Sequence, residues 1–451
     1  MFQHQSPTYF TQSADPKSTQ PNHRLAWTSH VNLPRHVSQP INDLAIDFFL
    51  STHVFREYGY VRGHYEYLSG LGSEIRSNKT LLMTISAVAL AAYAYKFWYP
   101  ALLQQARRHY GHALQLINTA LSVREEIIKD STIISILLLG TFETVTSGNQ
   151  KSFSHCEAHI RGAMATISIR GHHIVTSRRG QQLFLHMCWC LSVNCIVHSI
   201  QIPKELVSLR RYATSYLDAN NPAWRLLDIS FKLAKFRADV KTRVLSDYRS
   251  IVDVAFQIDR ELFSLANDMP IQWRFQTVSV LEQSELVFGT KYHVYPDLWV
   301  ASIWNAYRTC RLLLHQEIRT QLTYVLDTCP QSFTPMDMLN YQSSTDTLQQ
   351  LALGIYATVP QFCGHISLPS GCLIQTEGIV SQDPLIGGIP TTAGVYFLFW
   401  PLFSAGQTID CEMQRKWIVD RSRYIGRTTG LQQAFALADL IENREELSFS
   451  D

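Results

Sequence analysis

Between Tyr292 and Ile318 the chain reads YHVYPDLWVASIWNAYRTCRLLLHQEI, and this stretch limits the possible fold more than any other. Tyr295, Leu298, Trp299, Ile303, Ala306, Tyr307, Cys310, Leu313 and Leu314 recur at three- and four-residue steps. That is the period of a helix with one broad apolar face, so the stretch predicts a single helix packed into a core. Asn305, Arg308 and Arg311 interrupt the face. Polar groups drawn into such a core need hydrogen-bond partners.

Helical spacing dominates elsewhere. Lys79 to Phe97 is rich in Ala and Leu and ends before Pro100, which opens the next helix in its favoured first turn. That helix sets Leu103, Ala106, Tyr110, Ala113, Ile117 and Leu121 on one side. Ile133 to Val145 is apolar nearly all round, which predicts a position at the centre of stacked helices, ended by Gly148. Ser154 and Glu157 have the spacing of a capping box, predicting a helix that starts there, runs to Arg170 and stops at Gly171. Further helices are predicted over 178–200, 204–217, 222–243, 246–267, 295–325, 345–360, 392–406, 411–429 and 431–446. Segment 363–390, rich in Gly and Pro, reads as a loop. No run alternates as a strand does. The fold class is therefore all-α: one large helical body over 41–451, behind a leader over 1–40 whose Gln, Ser, Thr and Pro predict disorder.

An apolar fraction of 46% against 17% charged residues fits a folded, aromatic-rich interior. The net charge is +2, which sets up no strong field for a polyanion such as DNA. The basic pairs Arg107-Arg108, Arg178-Arg179 and Arg210-Arg211 have no spacing that aligns them on one face, so they read as helix-surface cations. Leu81–Ala94 and Ile133–Phe142 are the most apolar runs, shorter than the roughly 20 residues of a membrane span. The N-terminus has no charged start and apolar centre of a signal peptide, which predicts a soluble intracellular protein.

Nine cysteines are scattered without a Cys-x-x-Cys pair, so neither a disulfide framework nor a zinc site is expected. Cys188, Cys190 and Cys195 form the densest group and read as small buried thiols. His155 and His159 are four apart, with Glu157 between them, but the order His-Glu-x-x-His is missing. Phosphate-cradling Gly loops, the G-x-S-x-G elbow and the Asp-rich magnesium motif of helical cyclases are not found. No catalytic, cofactor-binding or metal-ligating residue is expected, and no cofactor. Four polar residues on apolar helices remain as structural candidates: Glu143, Arg161, Asn305 and Arg308. A carboxylate in the apolar helix 133–145 needs a partner, and the reading pairs Glu143 with Arg161 or Arg308. A pocket for a small effector is the functional alternative for these groups.

Several pieces, in order, resemble the fungal-specific transcription factor domain, the regulatory region of fungal binuclear zinc-cluster transcription factors. The first is Leu137 to Gly171, with His159-Ile160-Arg161-Gly162-Ala163 inside it. The second holds Tyr295-Pro296-Asp297, Trp304-Asn305 and Arg308 to Leu314. Trp400-Pro401-Leu402-Phe403 with Gly406, then Gln414-Arg415-Lys416-Trp417 with Ile425-Gly426, complete the set. The resemblance implies an all-helical regulatory body acting in the nucleus on RNA polymerase II transcription, of a metabolic or secondary-metabolite gene cluster. Its implied partners are other transcription regulators or co-regulators, in a homo- or heterodimer, with no membrane. One departure stands out: no cysteine precedes Cys156, so six clustered thiolates for two zinc ions cannot be built from these first residues. DNA would be reached indirectly, or through an N-terminal head that these residues do not contain. A helical scaffold that binds another factor without touching DNA is the alternative, followed by an all-α enzyme.

Overall fold

The computed structural model describes residues 39–54, 65–149, 151–280, 284–366, 392–408 and 410–445, with the backbone alone for Lys151 and Ser152. Nearly all of the leader over 1–40 and most of the loop over 363–390 lie outside these residues. Helix α1 (Ile41–Thr52) and the short α2 (Gly72–Ser77) precede α3 (Lys79–Lys96) and α4 (Ala101–Leu121). Asn78 starts α3 by accepting the Leu81 amide at 3.0 Å, which satisfies one of the orphan donors of a first turn. A single turn, α5 (Arg124–Ile127), leads into α6 (Asp130–Thr146), where every residue from Ser131 to Val145 is buried. Helix α6 packs against α3, α4, α7 (Lys151–Arg170) and α8 (Arg178–His198), the central position that its all-round apolar surface requires.

Helices α9 (Lys204–Ala213), α10 (Pro222–Lys241) and α11 (Tyr248–Asn267) carry the chain to α12 (Leu298–Thr328), which is 31 residues long. Helix α13 (Pro335–Tyr356) lies along α12, and the single turn α14 (Val359–Phe362) follows. Helix α15 (Thr392–Thr408) rests on α12 and α13, and α16 (Glu412–Thr429) and α17 (Gln433–Asn443) pack together beside it. Helix α16 also touches α3, and α17 touches α6, so both ends of the described chain share one core. The fold is all-α, as its hydrophobic period predicts. Among the described residues no helix is long and apolar enough to cross a membrane.

Three local expectations are corrected. Tyr292–Val294 are not helical: Lys291–Val294 (β2) pairs antiparallel with Gln276–Ser279 (β1), Gln276 opposite Val294. Pro296 disfavours helical backbone at Tyr295. The extended chain there is held instead by Gln361, whose amide accepts the Tyr295 N–H and donates to the Tyr295 carbonyl, both at 2.8 Å. Asp297 then caps α12 through the Val300 amide at 2.8 Å.

Ser154 and Glu157 do not form a capping box, because α7 already begins at Lys151. Glu157 turns instead to His198 at 3.2 Å and Arg161 at 3.6 Å.

A true capping box starts α13 at Pro335, ten residues ahead of its predicted start. Thr334 accepts the Asp337 amide at 3.2 Å, Asp337 accepts the Thr334 amide at 2.9 Å, and Pro335 fills the first turn. Thr334→Ala is expected to cost about 1 kcal/mol in denaturant unfolding. A midpoint indistinguishable from that of the parent chain would show that α13 does not depend on this cap.

Candidate functional site

The four polar candidates separate into two places, and the predicted pairing of Glu143 is not formed. Glu143 is buried in α6, where Tyr110 donates to it at 2.7 Å and His155 Nδ1 lies 3.3 Å from its other oxygen. The Tyr110 hydroxyl is also 3.3 Å from His159 Nε2. His155 and His159, one turn apart, thus face Glu143 together. Arg161 sits two residues further on, about 200° around the helix from His159. It is exposed there, and its partner is Glu157. The helical period therefore forbids the Arg161 pairing. Burial, and then Glu143, pushes the Tyr110 hydroxyl well up, while burial lowers His159 against the pull of Glu143.

Asn305 and Arg308 belong to a second knot, at the foot of α12. Arg308 donates to Asn305 at 3.1 Å and to the Tyr295 hydroxyl at 2.7 Å, and lies 3.4 Å from His293 Nδ1. Its guanidinium stands 5.3 Å from the centre of the Phe275 ring and 5.7 Å from that of Trp304. These partners are neutral, so the buried charge is spread over hydrogen bonds and ring faces rather than paired with a carboxylate. Burial, helped by Arg308, lowers His293 to about 3. Asn305 donates to Thr358 at 2.9 Å, tying α12 to the turn between α13 and α14. Arg311, one turn on, grips Asp259 with two bonds of 2.6 and 2.9 Å.

The thiols read as small core residues: Cys188 and Cys195 are buried, and burial raises Cys195 to about 11 and Cys190 to about 12. Among the described residues no group of three His, Cys, Asp or Glu is placed to hold a metal ion.

A cavity of about 290 Å³ lies among α7, α8, α12 and α15. Helix α8 contributes His186, Trp189 and Cys190, α12 contributes Trp299, Ser302 and Thr309, and α15 contributes Tyr396, Phe397 and Trp400. Trp189 and Trp299 stand perpendicular, at 87° with centroids 6.5 Å apart, and Phe397 meets Trp299 at 68° and 5.9 Å. Such edge-to-face packing leaves the rings as the walls of a corner. Helix α15 carries Pro401 in the same lining, where it cannot donate a helical hydrogen bond.

Among the described residues no Asp, Glu, Lys or Arg lines this cavity. Burial lowers His186 to about 4, so it is neutral near pH 7, and its Nδ1 lies 2.8 Å from the Tyr67 hydroxyl. Ser302 and Thr309 donate to carbonyls of their own helix at 2.7 and 2.8 Å, which leaves their oxygens as acceptors. A second chamber of about 270 Å³ shares His186, Cys190, Tyr396 and Trp400 and reaches Glu157 with its partner His198. Sequence reasoning missed this site because Trp189, Trp299 and Trp400 have the spacing of core packers. Trp189 and Trp400 are half-buried, pack against the core, and also line the cavity.

Helices stacked around one core define the class of the fold as an all-α helical body. Residues 74–200, from α2 through α8, match the model of the fungal specific transcription factor domain. No curated protein and no solved structure matches the chain. The matched span includes Leu137 to Gly171 and one wall of the cavity, while α12, α15 and the three later pieces of the resemblance lie beyond it.

Proposed function

We propose that this protein regulates RNA polymerase II transcription in the nucleus, through its helical body acting on other transcription regulators. The observation that carries this reading is the match of residues 74–200 to the fungal specific transcription factor domain. The balanced charge of the chain supports a role through protein contacts, since it provides no basic stripe along which phosphates would align. Phe97, Trp98 and Tyr99, three consecutive exposed aromatics between α3 and α4, support the same view. The genes controlled are those of a metabolic or secondary-metabolite cluster.

In the co-regulator reading, a partner supplies all DNA contact. Fusing the chain to an unrelated sequence-specific DNA-binding domain tests both readings, with a reporter gene and fluorescence localisation in a fungal host. The expected result is nuclear accumulation and a reporter level changed about tenfold or more, which corresponds to bridging free energies of the usual size. An unchanged reporter with the fusion present in the nucleus would overturn the proposal.

A further inference from the structure

We propose that the cavity among α7, α8, α12 and α15 is the binding site for a neutral, flat aromatic molecule. Shape is the first argument. Trp299 meets the rings of Trp189 and Phe397 at steep angles, and a planar ligand stacks on one face while meeting the edge of the next. Charge is the second. With no ionised side chain among the described lining residues, a carboxylate or ammonium would lose its hydration without a compensating partner. Neutral His186 and the protonated thiol of Cys190 keep that wall uncharged across the physiological range.

Size is the third. A cavity of about 290 Å³ takes roughly ten water-sized groups at about 30 Å³ each, which suits a bicyclic ring system. The hydroxyl oxygens of Ser302 and Thr309, acceptors only, fit a ligand that carries a phenol-type donor. The cavity also joins two parts of the chain. Its α7 and α8 wall lies inside the matched domain and its α12 and α15 wall lies outside, so a ligand bridging them stabilises the arrangement in which both are in place. That the ligand acts as a signal rests on the transcription reading above, whereas binding itself does not, so the two can fail separately.

Isothermal titration calorimetry of the full chain tests the site with 2-naphthol, its anionic analogue 2-naphthoate, and cyclohexanol. Saturable one-site binding of 2-naphthol is expected, with affinity about tenfold or more above that of either other probe. Ala306→Phe, which fills the cavity from α12, is expected to abolish that heat while leaving the melting transition in place. Trp189→Leu, which removes one aromatic wall at a half-buried position, is expected to weaken binding about fivefold or more. Equal binding of 2-naphthoate, no saturable binding of 2-naphthol, or undiminished binding by a folded Ala306→Phe or Trp189→Leu chain each overturns the proposal. The comparison of the three probes on the parent chain decides the matter even where a variant fails to fold.

Discussion

Gly180→Ala is expected to destabilise the chain by about 3 kcal/mol, the upper part of the range for overpacking. A Cβ at this position would lie 1.8 Å from the Ile174 carbonyl oxygen and 2.9 Å from its carbon. Both atoms are backbone, so no rotamer change can relieve the contact. Ile174 is fully buried in the 3₁₀ turn Gly171–Thr176, which the chain folds tightly against the start of α8. Retreat is blocked on the other side as well, because the Gly180 amide donates to Ser177 at 3.1 Å, the cap of that helix. Gly111→Ala is the internal control. It sits inside α4 with nothing within 4 Å of the added carbon, and it should stabilise by about 0.5–1 kcal/mol through helix propensity. Urea unfolding of the two variants should therefore shift in opposite directions. A Gly180→Ala midpoint equal to that of the parent would mean that the close approach of the 3₁₀ turn to α8 is not a feature of the folded protein.

The second large effect is acid sensitivity. His53 and His186 are both buried, and burial holds them neutral, lowered to about 3 and about 4. His53 packs on Phe49 with ring centroids 4.7 Å apart and bonds the Tyr396 hydroxyl at 3.0 Å. In the unfolded chain each takes up a proton near pH 6.5. Between that value and the lowered folded one, the unfolded state binds more protons, so stability rises with pH across the interval. It is complete above about 6.5 and is lost progressively as the pH falls toward 4. Each histidine should remove on the order of 2 kcal/mol by pH 5. In the double variant His53→Gln/His186→Gln, the difference in unfolding free energy between pH 7 and pH 5 should shrink by several kcal/mol, on the order of the two contributions together. An unaltered difference would place the acid response in other groups, such as His293.

How much of this was legible in the residues depends on how far each signal reaches along the chain. Long amphipathic periods such as Lys79–Lys96 and Ala101–Leu121 specify helices locally, and the structure follows them. The full burial of α6 follows from an apolar surface with no polar side to turn outward. The β1–β2 ribbon was illegible because its four-residue strands are too short for alternation to register. The start of α13 was missed for a different reason: Thr334, Pro335 and Asp337 carry the cap, but few apolar residues follow to mark a face. Partners were the least legible. That Glu143 needs company follows from its apolar helix, but choosing Tyr110 and His155 over Arg161 requires knowing which way α7 faces α6. The aromatic cavity needs four helices at once, and no local period encodes a space between them.

The paired contact of Gln361 with Tyr295 can be made only by an amide. An amide can give and take a hydrogen bond at the same time, whereas the carboxylate left by spontaneous deamidation can only take. Conversion of this one side chain would remove the donor to the Tyr295 carbonyl and bring a negative charge into a buried corner beside the lead-in to α12. Hydrolytic damage at Gln361 would thus loosen the longest helix at its root, and mass spectrometry of stored protein would detect it as a gain of about one dalton.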